Sequence, residues 1–151
     1  MMYKQGCSMI VQATQADYLT LIDLWERSVR ATHDFLPETE IAQLKPLILN
    51  EYFAQVCLHV VVRDNQILGF LGSSEDNIEM LFIDPDFRRT GVGSSLLDFA
   101  VKQLGIHKVD VNEQNTQAVN FYKKSGFEVV GRSELDGQGN PYPLLHMVCP
   151  Q

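Results

Sequence analysis

The chain has 151 residues, 45% of them hydrophobic and 21% charged, and a formal net charge of −7. This length suits one domain with a substantial core, and the composition is that of a globular protein with no run of membrane-spanning length. The acidic balance excludes a general nucleic-acid binder, which needs a basic stripe, and the three cysteines Cys7, Cys57 and Cys149 have neither zinc nor redox spacing. No metal is therefore expected, and Cys57 reads as a small core residue. The opening Met1 to Gly6 lacks the apolar region of a signal peptide, so the expected compartment is the cytoplasm, with no membrane partner.

In chain order, Ser8 to Gln12 predicts a first strand, and Thr14 or Asp17 caps a helix whose apolar face is Leu19, Ile22, Leu24, Trp25 and Val29. After an interruption at Ala31 to Pro37, Glu38 to Glu51 predicts a second helical stretch, broken or kinked at Pro46. Val56 to Val62 is a β-branched strand, Asp64-Asn65 a hairpin turn, and Gln66 to Ser73 its returning partner. Asn77 to Ile83 adds a strand stopped by Asp84-Pro85, and Leu96, Leu97, Ala100, Val101 and Leu104 mark a helix. Lys108 to Asn112, Thr116 to Ser125, Phe127 to Leu135 and Tyr142 to Val148 follow as strand, helix, strand and strand. The order β-α-α-β-β-β-α-β-α-β-β predicts an α/β (α+β) fold, a mixed and largely antiparallel sheet of about seven strands with helices on both faces. A single domain is expected over 8–149, with 1–7 as a short N-terminal extension.

Between the strand at Asn77 to Ile83 and the next helix lie Arg88, Arg89, Thr90, Gly91, Val92, Gly93 and Ser94. A helix start offers unpartnered N–H groups and the positive end of a dipole, and glycines let an anion come close to them. Two arginines add forked donors suited to phosphate. No Lys follows Gly93 as a P-loop requires, and Leu96 stands where the dinucleotide fingerprint needs a third glycine. Further on, Asn115 is a natural cap for the helix carrying Ala118, Phe121, Tyr122 and Lys124, and Gly126 ends it.

Arg88-x-x-Gly91-x-Gly93 at a strand end resembles the acetyl-CoA signature of the GNAT superfamily of N-acetyltransferases, and Asn115-x-x-Ala118-x-x-Phe121-Tyr122-x-Lys124-x-Gly126-Phe127 resembles its second signature. The predicted element order is also that of the family. The resemblance implies acetyl-CoA as co-substrate. It implies backbone contacts to pantetheine from Leu81, Phe82 and Ile83, a pyrophosphate cradle over Arg88 to Ser94, and cofactor contacts from Asn115, Phe121 and Lys124. Tyr122 is implied as the general acid.

Ser28 to Leu36, Val111 to Asn115 and Pro141 to Leu145 are similar to a small bacterial YjaB-type subgroup to which peptidyl-lysine acetylation is assigned. In that subgroup the position of Asp110 is Asn, which leaves a role there open. The expected function is therefore acetyl transfer to a primary amine, protein lysine first, by direct attack in a ternary complex. A small-molecule amine (polyamine, antibiotic amine or amino acid) and a non-catalytic acyl-CoA-binding module are the alternatives. A monomer or homodimer is expected.

An amine with a pKa near 10.4 costs about 4.6 kcal/mol to deprotonate at pH 7, so a base or water chain is required. Glu79, beside the cofactor turn, is the first candidate. His33 is the second, with Phe35 as a substrate contact on the loop between the first two helices. His59, His107 and His146 read as structural.

Overall fold

A computed structural model of the chain describes residues 8–32 and 36–150. The elements are β1 (Met9–Gln12), α1 (Tyr18–Thr32), α2 (Glu38–Leu47), α3 (Phe53–Gln55), β2 (Cys57–Arg63), β3 (Gln66–Ser74), β4 (Asn77–Ile83), α4 (Val92–Lys102), β5 (Lys108–Asn112), α5 (Thr116–Lys124), β6 (Glu128–Ser133) and β7 (Leu144–Val148). Local chemistry explains most of these boundaries. The Thr14 N–H donates to Asp17 Oδ2 at 2.9 Å at the entry to α1. Asp64 and Asn65 both have positive φ, 52° and 64°, the twist that a two-residue hairpin needs between β2 and β3. Gly126, with φ 100°, follows α5 in the left-handed position that ends helices.

The strands form one seven-stranded sheet in the order β1-β2-β3-β4-β5-β7-β6. Every neighbouring pair is antiparallel except β4 and β5. Strand alternation sends side chains to opposite faces, and each face has its own core. On one face Leu21, Leu24, Trp25 and Val29 of α1 pack with Val60 and Phe70. On the other, Leu96, Leu97 and Ala100 of α4 and Val119 and Tyr122 of α5 pack with Leu71, Val109, Val111 and Met147. Leu68 is the extra residue where Val61 pairs with Gly69 and Val62 with Ile67, and this bulge lets Leu68 join one core while Phe70 joins the other. Arg27 of α1 reaches across to Asp84, a carboxylate only 3% exposed, at 3.0 Å. The same carboxylate accepts the Asp86 N–H at 2.9 Å, so one ion pair ties α1 to the turn that follows β4.

Phe70 is fully buried between Phe53, edge-on at 5.9 Å, and Phe82 at 5.6 Å. Phe70→Ala is expected to cost roughly 3–5 kcal/mol by urea unfolding, because no neighbour can refill a site walled by the sheet.

Two side-chain readings of the sequence are corrected: Leu19, expected on the apolar face of α1, is 73% exposed, and Cys57, expected in the core, is exposed. The second helical stretch is not one clean helix, as expected, and its irregularity follows Pro46 directly. α2 runs through Pro46 to Leu47 and passes by a π-helical turn over Ile48–Tyr52 into α3. Cys57 opens β2 at an exposed position, where Gln12 Nε2 donates to its Sγ, and it does not enter the core. Among the described residues no helix is long and apolar enough to cross a membrane, and no cluster of His, Cys, Asp and Glu could hold a metal ion.

Candidate active site

The site begins with a failure of strand pairing. β4 and β5 run parallel and pair only at Asn77 with Lys108 and Ile78 with Val109, after which they diverge. Glu79 is the cause on the β4 side. Met80 pairs with Gly72 and Ile78 with Ser73, so Glu79 is an unpaired bulge residue that bends the strand away. From there to Ile83 one edge of β4 lacks a strand neighbour, and its backbone groups border a cleft.

This cleft is about 620 Å³, within the range of small-molecule sites, and passes between the diverging strands. Its walls are Glu79, Met80, Leu81, Phe82 and Ile83 on β4, Val109 to Asn112 on β5, Ser28 and Thr32 on α1, and the facing residues of the turn and α5.

At one end the turn before α4 is built for an anion. Arg89 and Gly91 have positive φ, 62° and 89°, which aims successive backbone N–H groups inward. Ser95 is the first residue whose N–H reaches a helical carbonyl, that of Gly91, so the amides of Val92, Gly93 and Ser94 lack an intrahelical acceptor. Gly91 has nothing within 4 Å of where a Cβ would stand, so the space above the turn is open. Arg88, Arg89 and Lys124 add positive charge to the lining. An Arg88 guanidinium N–H donates to Gln117 Oε1, which joins this turn to α5. These features fit a pyrophosphate.

Deeper in the cleft stands Tyr122, 6% exposed and edge-on to Phe121 at 5.2 Å and to Phe127 at 5.4 Å. Its hydroxyl makes no hydrogen bond to the described residues. Burial pushes its phenol above the ordinary value of 10. In the unfolded chain the phenol ionises near 10 while in the fold it stays protonated, so this contribution to stability is complete below pH 10 and is lost as pH rises beyond it. Alkaline unfolding curves are expected to show Tyr122→Phe losing less stability than the native chain between pH 9.5 and 11.

On the opposite wall Glu79 Oε1 accepts from Ser74 Oγ at 2.6 Å and from Asn77 Nδ2 at 3.0 Å, which fixes an exposed carboxylate in place. Across the sheet His146 Nδ1 lies 2.6 Å from Asp110 Oδ1, and His146 Nε2 lies 2.6 Å from Ser133 Oγ.

The structure brings Glu79, Leu81, Phe82, Ile83, Arg88, Arg89, Gly91, Gly93, Ser94, Asn115, Phe121, Tyr122 and Lys124 to this one cleft. Thr90 and Val92 do not line it. The Thr90 hydroxyl is turned to the Phe87 carbonyl, and the Val92 side chain is in the core, which leaves only their backbone for a ligand. Asn115 also caps α5, accepting from the Ala118 N–H at 3.1 Å. His33 and Phe35 lie outside the described residues. Asp110, Gln117, Ser28 and Thr32 line the cleft and were not among the expected site residues. Gln117 stands inside the second signature motif, whereas Ser28 and Thr32, four apart on α1, carry only a polar spacing within an apolar helix.

His59 is a structural residue, as expected: its ring packs on Phe99 at 4.9 Å, and burial pushes its pKa down.

A sheet split between parallel strands, an anion-binding turn beside the gap and a buried phenol in its lining thus form one site. The family described as Acetyltransferase (GNAT) domain matches residues 29–149. A relative named peptidyl-lysine N-acetyltransferase YjaB, from Salmonella typhimurium, is 46% identical over 86% of this chain and 90% of its own. The solution structure of apo-form YjaB from Escherichia coli superposes with a TM-score of 0.85 at 41% identity, over 95% of this chain and 97% of that one. A PaiA N-acetyltransferase from Thermoplasma acidophilum, in complex with coenzyme A, shares the fold with a TM-score of 0.75 at 19% identity, over 95% and 99% of the two chains. The chain belongs to the GNAT acetyltransferases. It is an N-acetyltransferase, and acetyl-CoA is its acetyl donor.

Proposed function

We propose that this chain acetylates the side-chain amine of a protein lysine, by direct attack of the amine while both substrates are bound. The observation that carries the reading is the cleft itself, cationic at the Arg88 turn and carboxylate-bearing at Glu79 and Asp110, so that an anionic donor and a cationic acceptor have separate ends. The substrate class is supported by the names of relatives 46% and 45% identical to this chain.

Acetyl-CoA supplies the acetyl group as an activated thioester. The amides of Val92, Gly93 and Ser94, with Arg88 and Arg89, would hold its pyrophosphate, and Thr90 would shape that loop. The open edge of β4 at Leu81, Phe82 and Ile83 would hold its amide-bearing arm between the strands, with Asn115, Phe121 and Lys124 on the α5 side. Tyr122 keeps its proton on Oη and offers it to the departing sulfur. Because burial moves the phenol above 10, full transfer to a thiolate near 8.5 is uphill by more than about 2 kcal/mol, and a strong hydrogen bond is the larger part of its contribution. Glu79, held by Ser74 and Asn77, takes the amine proton directly or through water. His33 and Phe35 are assigned to acceptor binding from the sequence alone.

The reading includes residues 8–149 as one catalytic domain, acting in the cytoplasm without nucleic acid, as a monomer or homodimer. Mass spectrometry of lysine peptides and polyamines incubated with acetyl-CoA tests it. Lysine acetylation that Glu79→Gln slows about a hundredfold at pH 7, with part of the loss recovered at higher pH, is the expected result. Acetylation of polyamines alone would replace the acceptor class, and no turnover on either would leave only a binding module.

A further inference from the structure

The hydrogen-bonded series Asp110, His146 and Ser133 crosses three adjacent strands and belongs to no part of the chemistry above. Asp110 and His146 are direct cross-strand partners on β5 and β7. Val109 and Val111, and likewise Leu145 and Met147, face the core beneath α4 and α5. Alternation therefore places Asp110 and His146 on the other face of the sheet, the face of α1 and α2. The imidazole has a flat seat there, because a Cβ on Gly131 would stand 3.4 Å from His146 Cδ2. The loop between β6 and β7 is tied to the same face, through Gln138 to Tyr52 and Tyr142 to Glu40. The anion-binding turn precedes α4 and belongs to the opposite face.

We propose that Asp110 is the residue that receives the cationic acceptor amine, and that His146 and Ser133 position its carboxylate for this. The proposal rests on the lysine reading above. Asp110 lines the same cleft as Glu79, on β5 where it diverges from β4, and Ser28 and Thr32 of α1 also line it. Asp110 Oδ1 meets His146 Nδ1, and the Ser133 hydroxyl, which can donate or accept, meets Nε2, so the ring is held at both nitrogens and orients the carboxylate. One carboxylate oxygen is thereby committed to the protein, and the other remains for an ammonium group. Two carboxylates on the two diverging strands then divide the work: Asp110 binds the amine and Glu79 takes its proton. His146 and Ser133 are positioning residues, since each acts through Asp110.

The test uses the full chain with acetyl-CoA and a lysine peptide, read as separate KM and kcat values for the two substrates. It is paired with equilibrium binding of that peptide and its norleucine counterpart to the CoA-bound protein. Asp110→Asn is expected to raise the peptide KM about tenfold or more, with a smaller change in kcat and no change in the KM for acetyl-CoA. It should also abolish the preference for lysine over norleucine. Asp110→Glu is expected to recover part of the loss. His146→Asn and Ser133→Ala are expected to raise the same KM by smaller factors, in that order. An unchanged peptide KM in folded Asp110→Asn overturns the proposal and leaves the lysine reading intact, as does an increase confined to acetyl-CoA. A native chain that acetylates neither lysine peptides nor polyamines overturns both, because the proposal rests on the lysine reading.

Discussion

Tyr122→Phe is expected to lower kcat for acetyl transfer about a hundredfold while leaving the fold and the affinity for acetyl-CoA almost unchanged. The substitution removes one oxygen and keeps the ring that packs edge-on against Phe121 and Phe127, so the core beneath α5 loses no volume. The deleted hydroxyl has no hydrogen-bond partner among the described residues, and no buried group is left unsatisfied by its loss. What goes is a single donor at a buried position in the cleft lining, where a hydrogen bond to developing charge is worth more than in water. Single-turnover rates with and without the hydroxyl, beside calorimetric affinities, measure this directly. A kcat within threefold of native would remove Tyr122 from the chemistry and leave it as a core residue.

The second large effect is expected at the turn. Gly91→Val places a β-branched residue at a φ of 89°, a strain of about 1–2 kcal/mol, at a point where no neighbour would clash. The strain is relieved by turning the peptide, and that rotates the amides of Val92 to Ser94 off a common target. Arg88→Ala removes a charged donor and also frees Gln117, loosening the turn from α5. Each variant is expected to weaken acetyl-CoA binding by tenfold or more in calorimetric titration, with melting temperatures within a few degrees of native. Affinity unchanged in both folded variants would mean that the pyrophosphate lies elsewhere.

The elements that place this site were largely legible in the sequence, because their signals are local. β4 and β5 occupy the expected residues, Asn77–Ile83 and Lys108–Asn112, since an apolar run stopped by Asp84-Pro85 and the alternation of Val109 and Val111 need no tertiary information. The helix starts at Gly91 and Asn115 are equally local, and so are the two signature motifs that implied the family. At Pro46 the sequence marked an irregular helix, but only the structure gave its form, a π turn over Ile48–Tyr52. Cys57 misled because its strand begins at the exposed edge of the core.

By itself the sequence determined which segments become strands and helices, where the anion-binding turn falls and which family the site belongs to, because these follow from spacing within a few residues. Only the tertiary structure decided that Glu79 would bulge out of register and part β4 from β5. It alone brought Arg27 to Asp84, and it alone set Asp110, 36 residues from His146 in the chain, beside that imidazole and Ser133. Such contacts arise from strand order and register, which pair residues by their place in the sheet and leave no periodic trace in the chain.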